Sequence, residues 1–443
     1  MHVSRRVGLA AGAALLLMTG ACSTNDSAGA SDPHQVRLYG SDGNMGNPLG
    51  AALKDHPGAL AGMKGTTPMT PLSDDFRNRL KSVYPNLDNY SYAGETYDAV
   101  VLAALAAETA KSADPRTLAK YLPGVTYSGE ACDTVSQCLG KIRSGGDIQY
   151  RGVSLRRGGF SDKGEPSTAS YATMHFSEDN RIDDGKTEFV GAGDENDTTK
   201  AQQPMPPPGS EKPKDAPLVL GSLLPQTGAL ESMYPPLIAG ARLAVREVNA
   251  AGGVLGEPVK WIEGDDGTSG TKAKQSATKL ISQDVDVIIG ASASGVTKAV
   301  MPTVIGAEKV MISPSATADE LMTLPDHGLF FRTAPPDHLQ AKALADIVLR
   351  DGSAKVLIVN RNDAWGNGLR DMLAQTLQAA GLNASDIHVF TYPGVASADE
   401  QLDLSALPKQ VKGFAPDGIV LLGFDETVHV IDKLLEGDVA LKH

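Results

Sequence analysis

From residue 218 onward, short apolar runs alternate with longer stretches whose apolar positions recur every three to four residues. The runs predict strands at 218–224, 259–264, 285–290, 310–313, 329–333, 356–359, 387–391 and 418–422. The stretches between them predict helices at 234–251, 272–283, 296–307, 337–351, 366–380 and 427–435. The 234–251 stretch shows the helical period well: Leu237, Ile238, Ala241, Val245 and Val248 share one face, and Gly252-Gly253 follows its end. Strand and helix in regular alternation is the grammar of an α/β fold with parallel sheets. The last helix is followed by His443, where such a series calls for one more strand.

The front of the chain is less regular. A strand is predicted at 35–39, closed by the turn Gly40-Ser-Asp-Gly-Asn44. Residues 45–70 read as irregular, rich in Gly, Pro and Thr. Ser73, followed by Asp74 and Asp75, marks a helix start. A long buried helix is expected at 90–110, with Tyr97, Val100, Val101, Ala104, Leu105 and Ala107 on its apolar face. Shorter helices follow at 114–121 and 133–143, and a strand at 167–176. Residues 183–216 change character, turning charged and then proline-rich, and read as a linker. The first 22 residues form a targeting segment: Arg5-Arg6, an apolar stretch over 7–18, then Thr19-Gly20-Ala21-Cys22. Residues 23–34 suit a flexible tether.

Two loops carry the candidate chemistry. Gly290-Ala-Ser-Ala-Ser294 and Ser313-Pro-Ser-Ala-Thr317 each end a predicted strand, and a helix lies between them. In parallel sheets, ligands gather at the carboxyl ends of the strands. There Ser292, Ser294, Ser315 and Thr317, with the N–H groups of a helix start, suit a small anion such as a carboxylate. The same residues also serve as ordinary turn and helix caps. A net charge of −13, from 40 basic and 53 acidic residues, argues against a nucleic-acid partner. Export implies an oxidising space, and Cys132 and Cys138 then read as a small-loop disulfide rather than a metal pair. No metal or cofactor is expected: Asp265-Asp266 lacks calcium-loop spacing, and Gly366-Asn-Gly368 is no phosphate loop. The first loop is not a G-x-S-x-G elbow, so a hydrolase is disfavoured.

Four stretches resemble the type 1 periplasmic solute-binding proteins of the leucine/isoleucine/valine-binding kind. They are Gly221-Ser-Leu-Leu-Pro-Gln-Thr-Gly228 with the helix 239–253, the loop 312–317, Tyr97 in Thr96-Tyr-Asp-Ala-Val100, and the turn ending at Gly43. Thr19-Gly20-Ala21-Cys22 resembles a bacterial lipobox, although Thr19 stands where Leu is preferred. The resemblance implies two Rossmann-like lobes with parallel sheets and a solute closed between them by a hinge. It also implies delivery to an ABC permease, with the protein lipid-anchored through Cys22 on the outer face of the cell membrane. A sensory lipoprotein is the alternative.

The order of the halves departs from that family. Residues 217–443 resemble its first half (lobe one 217–336, lobe two 338–443) and 35–182 its second, which implies a circular permutation bridged by 183–216. A domain-swapped dimer is the rival. By the same resemblance, Ser294 and Thr317 would bind a carboxylate through hydroxyl and backbone N–H groups, with Ser315 and Ala316 in the same loop. Asp42 would pair with an ammonium, Tyr97 would close the amino end, and Trp365 and Phe424 would cover the ligand from lobe two. The solute expected is an amino acid or amide.

Overall fold

A computed structural model describes residues 35–200 and 217–442. The targeting segment, Cys22, the tether and residues 201–216 of the linker lie outside the described residues. Two sheets organise the rest. The first has five parallel strands in the order Phe330–Arg332, Val310–Ser313, Val287–Gly290, Val219–Leu224, Lys260–Asp265. The second has seven, in the order Ile387–Pro393, Val356–Asn362, Gly418–Leu422, Arg37–Gly40, Lys64–Pro68, Thr168–His175, Glu188–Gly193. Its first five strands are parallel, and Thr168–His175 pairs antiparallel with both of its neighbours. Arg37–Gly40 therefore sits beside a strand some 380 residues later, with Arg37 opposite Gly418.

The central strands are apolar on both faces because helices cover both. Val356 and Ile358 face one core, which continues into the first lobe, and Leu357 and Val359 face a second. In the first lobe the helix Ala93–Ala110 crosses Tyr234–Ala250. A side chain at Gly240 would stand 2.3 Å from the Ala93 carbonyl oxygen, so the crossing requires glycine there. Cys132 and Cys138 are joined as a disulfide beside this packing.

Among the segments that lie wholly within the described residues, three run between the lobes, at 69–73, 151–167 and 333–336. The helix Asp337–Arg350 packs on the second sheet, against the strands Lys64–Pro68 and Thr168–His175. Three parallel crossings suit a hinge, since a few loop residues then absorb the motion of two rigid bodies. One buried ion pair fastens the crossings. Arg332 is fully buried, and its Nε and Nη2 both donate to Glu165 Oε2, the former at 3.1 Å. Its Nη1 donates to the carbonyls of Ala316 and Ala318, at 3.2 and 3.0 Å.

Several elements depart from the sequence reading, and the three longest-reaching are these. Residues 188–193, inside the expected linker, form an edge strand, with Phe189 and Val190 exposed at 41 % and 47 %. Lys64–Pro68, inside the stretch read as irregular, is an interior strand. Leu407–Phe414 is an additional helix, burying Leu407, Val411 and Phe414. Lys-Gly-Thr-Thr-Pro has no apolar run to announce a strand. Gly65 is required there because a side chain would meet Met45 and the Gly40 carbonyl at 2.5–2.6 Å.

Candidate functional site

The first ligand loop follows the strand Val287–Gly290 and leads into the helix Ser294–Gly306. The buried carboxylate of Asp266 sets its course by accepting the N–H groups of Ser292 (3.0 Å) and Thr268 (2.8 Å). Burial pushes the Asp266 carboxyl up to about 7. The second loop is tied to the first. Ser294 Oγ accepts the N–H groups of Thr317 and Ala318, each at 3.1 Å, and Ser315 Oγ donates to the Ser292 carbonyl at 3.3 Å. Ser313 Oγ donates to the Ala291 carbonyl (2.6 Å) and accepts from Ala316 N (3.0 Å).

Across from these loops stands the second lobe. Asp42 follows the strand Arg37–Gly40, held by Tyr92 Oη on Oδ2 (2.7 Å) and Gln340 Nε2 on Oδ1 (2.8 Å). Burial raises its carboxyl above the usual range. Asp337 lies near it, also fully buried. Burial, and then the neighbouring charge of Asp42, push it well above the usual range, and the Thr317 hydroxyl and Arg332 pull it back. Trp365 and Phe424 stack at 5.0 Å between ring centroids, tilted by 30°, with the Arg361 guanidinium 3.8 Å over the Phe424 ring. Gly43 lets Phe424 close in: a side chain there would meet the Gly423 carbonyl at 2.5 Å and the Phe424 ring at 2.7 Å.

These groups enclose one cavity between the lobes. Ser292, Ala293, Ser294 and Ser315 line it from the first lobe with Tyr92, Leu230 and Met233. Asp42, Gly43, Trp365 and Phe424 line it from the second. Its volume is about 30 Å³, room for about two waters, against roughly 300–1,000 Å³ for a pocket that holds a drug-sized ligand. The cleft is closed in this conformation. Direct bonds hold the lobes together beside it: Ser232 Oγ donates to Asp425 Oδ1 at 2.7 Å, and Ala229 N donates to the Ala396 carbonyl at 2.8 Å.

The cavity gathers six of the expected residues, Ser292, Ser294, Ser315, Asp42, Trp365 and Phe424. Ala316 and Thr317 lie behind it. The Thr317 N–H is spent on Ser294 and the Ala316 carbonyl on Arg332, so these two backbone groups brace the loop. Tyr97 is not at the cavity. It lies one turn inside its helix, donates to Glu247 Oε2 at 2.5 Å and packs edge-on to Phe76 at 5.3 Å. Tyr92, just before that helix and in the left-handed region at φ 59°, takes the place by the cavity. A bulky residue held there is uncommon and often marks a site. The sequence signal available was the position ahead of the helix, Ser91-Tyr92-Ala93-Gly94.

Burial also gives the helix Ala93–Ala110 a pH signature. Glu95, in the first turn of the same helix, is pushed up to about 8 by burial and next by Asp98. A folded-state value above the unfolded one means that the folded chain holds the proton more tightly. The stability it contributes is complete below about pH 4 and is lost as pH rises through about 8. Thermal unfolding is expected to shift downward from pH 5 to pH 8, and Glu95→Gln to flatten that slope. An unchanged slope in the variant would remove Glu95 as its source.

Two α/β lobes, each built on a largely parallel sheet, meet at a cavity lined from both sides. The periplasmic binding protein family matches residues 217–443, just over half of the chain, and the chain belongs to that family. It is 31 % identical over 212 residues to the Leu/Ile/Val-binding protein BraC3 of Rhizobium johnstonii, across 47 % of this chain and 55 % of that one. It is 27 % identical over 189 residues to the leucine-, isoleucine-, valine-, threonine- and alanine-binding protein of Pseudomonas aeruginosa, across 42 % and 48 %. The chain thus spans about half the length of the curated relatives it matches. Among solved structures, the branched-chain amino acid transporter substrate-binding protein LivJ of Streptococcus pneumoniae, in complex with isoleucine, is similar at 24 % identity and a TM-score of 0.44. That likeness covers 51 % of this chain and 63 % of that one.

Proposed function

We propose that this chain captures a small amino acid or a related solute by hinge closure and presents the closed form to an ABC permease. The observation that carries the reading is the two-sided cavity. Hydroxyls and a helix start come from one lobe, and a carboxylate and an aromatic pair from the other. Such a site is complete only when the lobes meet, so a solute that touches both favours the closed state by its differential affinity. The Ser294 hydroxyl, at the helix start, is the donor for a carboxylate, and Asp42 is the acceptor for an ammonium. Family membership and the printed names of the relatives support the same reading.

The reading includes two further parts. The halves are in permuted order, with 183–216 as the bridge. The pairing of Arg37–Gly40 beside Gly418–Leu422, and a family match confined to 217–443, support this. The chain is exported and anchored through a lipid on Cys22, as the lipobox-like Thr19-Gly20-Ala21-Cys22 suggests.

The test is calorimetry of the form that starts at Ser23, against a panel of amino acids and amides. At least one member is expected to bind, and no binding by a folded protein would sink the solute-binding reading. Sedimentation of the same sample is expected to give a monomer, whereas a dimer would favour swapped halves. Labelling with a fatty acid is expected in the full chain and not in Cys22→Ala.

A further inference from the structure

Two polar groups at the cavity have no partner within the protein. Ser292 Oγ, in the first lobe, and Trp365 Nε1, in the second, are buried without a hydrogen bond, and both residues are only 3 % exposed. Both line the cavity between the lobes. The other polar side chains there are engaged: Asp42 holds Tyr92 and Gln340, Ser294 holds two N–H groups, and Ser315 holds the Ser292 carbonyl. A buried donor left unpaired is costly, so a hydrocarbon placed against these two groups forfeits a hydrogen bond at each.

We propose that Ser292 and Trp365 form a polar subsite that selects a solute with a carboxamide end over one with a hydrocarbon end. The chemistry follows from the donor inventory. An indole N–H only donates, so it requires an acceptor oxygen, whereas a serine hydroxyl both donates and accepts. A carboxamide offers both halves: its oxygen takes the Trp365 N–H, and its NH2 donates to Ser292 Oγ. The remaining walls, Leu230, Met233 and Phe424, are apolar and fit the stem of such a side chain. Because the two polar groups belong to opposite lobes, a carboxamide bridging them also favours closure. A branched hydrocarbon of the same size satisfies neither.

This inference rests on the solute-binding reading, and the experiment separates the two. Leucine and asparagine are near-isosteric, so calorimetry with each isolates the polar end. Asparagine is expected to bind the unaltered protein on the order of 100-fold tighter than leucine. Ser292→Ala and Trp365→Phe are each expected to narrow that ratio about tenfold. Trp365→Phe keeps an aromatic wall, and Ser292→Ala removes one atom, so the ratio remains measurable in both. Leucine binding as tightly as asparagine, with the ratio unmoved by Ser292→Ala, would overturn the polar subsite and leave the solute-binding reading standing. Binding by neither these two nor any other panel member, in a folded protein, would overturn both.

Discussion

Replacing Glu165 by alanine is expected to destabilise the protein by about 3–5 kcal/mol, the cost of leaving a buried charge without its partner. Arg332 is fully buried, and it joins three features: the crossing segment that carries Glu165, the strand Phe330–Arg332, and the carbonyls of Ala316 and Ala318. With the carboxylate gone, the guanidinium keeps its two carbonyls but loses its countercharge. Combining Glu165→Leu with Arg332→Met is expected to recover part of the loss, since it removes both charges. It still leaves two carbonyls short of a donor. Urea unfolding gives both values. A loss in Glu165→Ala under about 1 kcal/mol, the range of exposed pairs, would show that the pair does not fasten the hinge.

Ser294→Ala is expected to weaken solute binding about 10- to 100-fold and to cost stability as well. The hydroxyl has two duties. Its oxygen accepts the N–H groups of Thr317 and Ala318, and in the proposed function its hydrogen goes to the solute at the helix start. Alanine leaves both N–H groups buried without an acceptor, at about 1–3 kcal/mol each. Ser294→Thr keeps the oxygen and is expected to restore the loops. Calorimetry and thermal unfolding of the two variants distinguish the duties. Full solute affinity in Ser294→Ala would remove Ser294 from the carboxylate site.

Part of the cavity lining was legible in the sequence, for an identifiable reason. Ser294 and Ser315 lie in loops that end apolar strands, and strand ends in parallel sheets are where ligands meet the chain. Trp365 and Phe424 likewise follow strands of the second sheet. Tyr97 was expected at the ligand by resemblance alone, whereas apolar periodicity placed it on the buried helix face that it occupies. Its neighbours are Phe76 and Glu247, and the cavity receives Tyr92 instead. Thr317 and Ala316 belong to the right loop, but their backbone groups turn to Ser294 and Arg332.

The sequence alone determined the α/β class and the positions of most strands and helices after residue 217, because apolar periodicity is a local property of the chain. It also marked the two hydroxyl-rich loops. Tertiary structure alone decided that Lys64–Pro68 is a strand, since its place comes from Arg37–Gly40 on one side and Thr168–His175 on the other. It decided that 188–193 extends that sheet, through pairing with Thr168–His175. It decided, too, which polar groups at the cavity are already spent and which are left: whether Ser292 and Trp365 have partners depends on atoms from opposite lobes, and no local pattern in the chain records that.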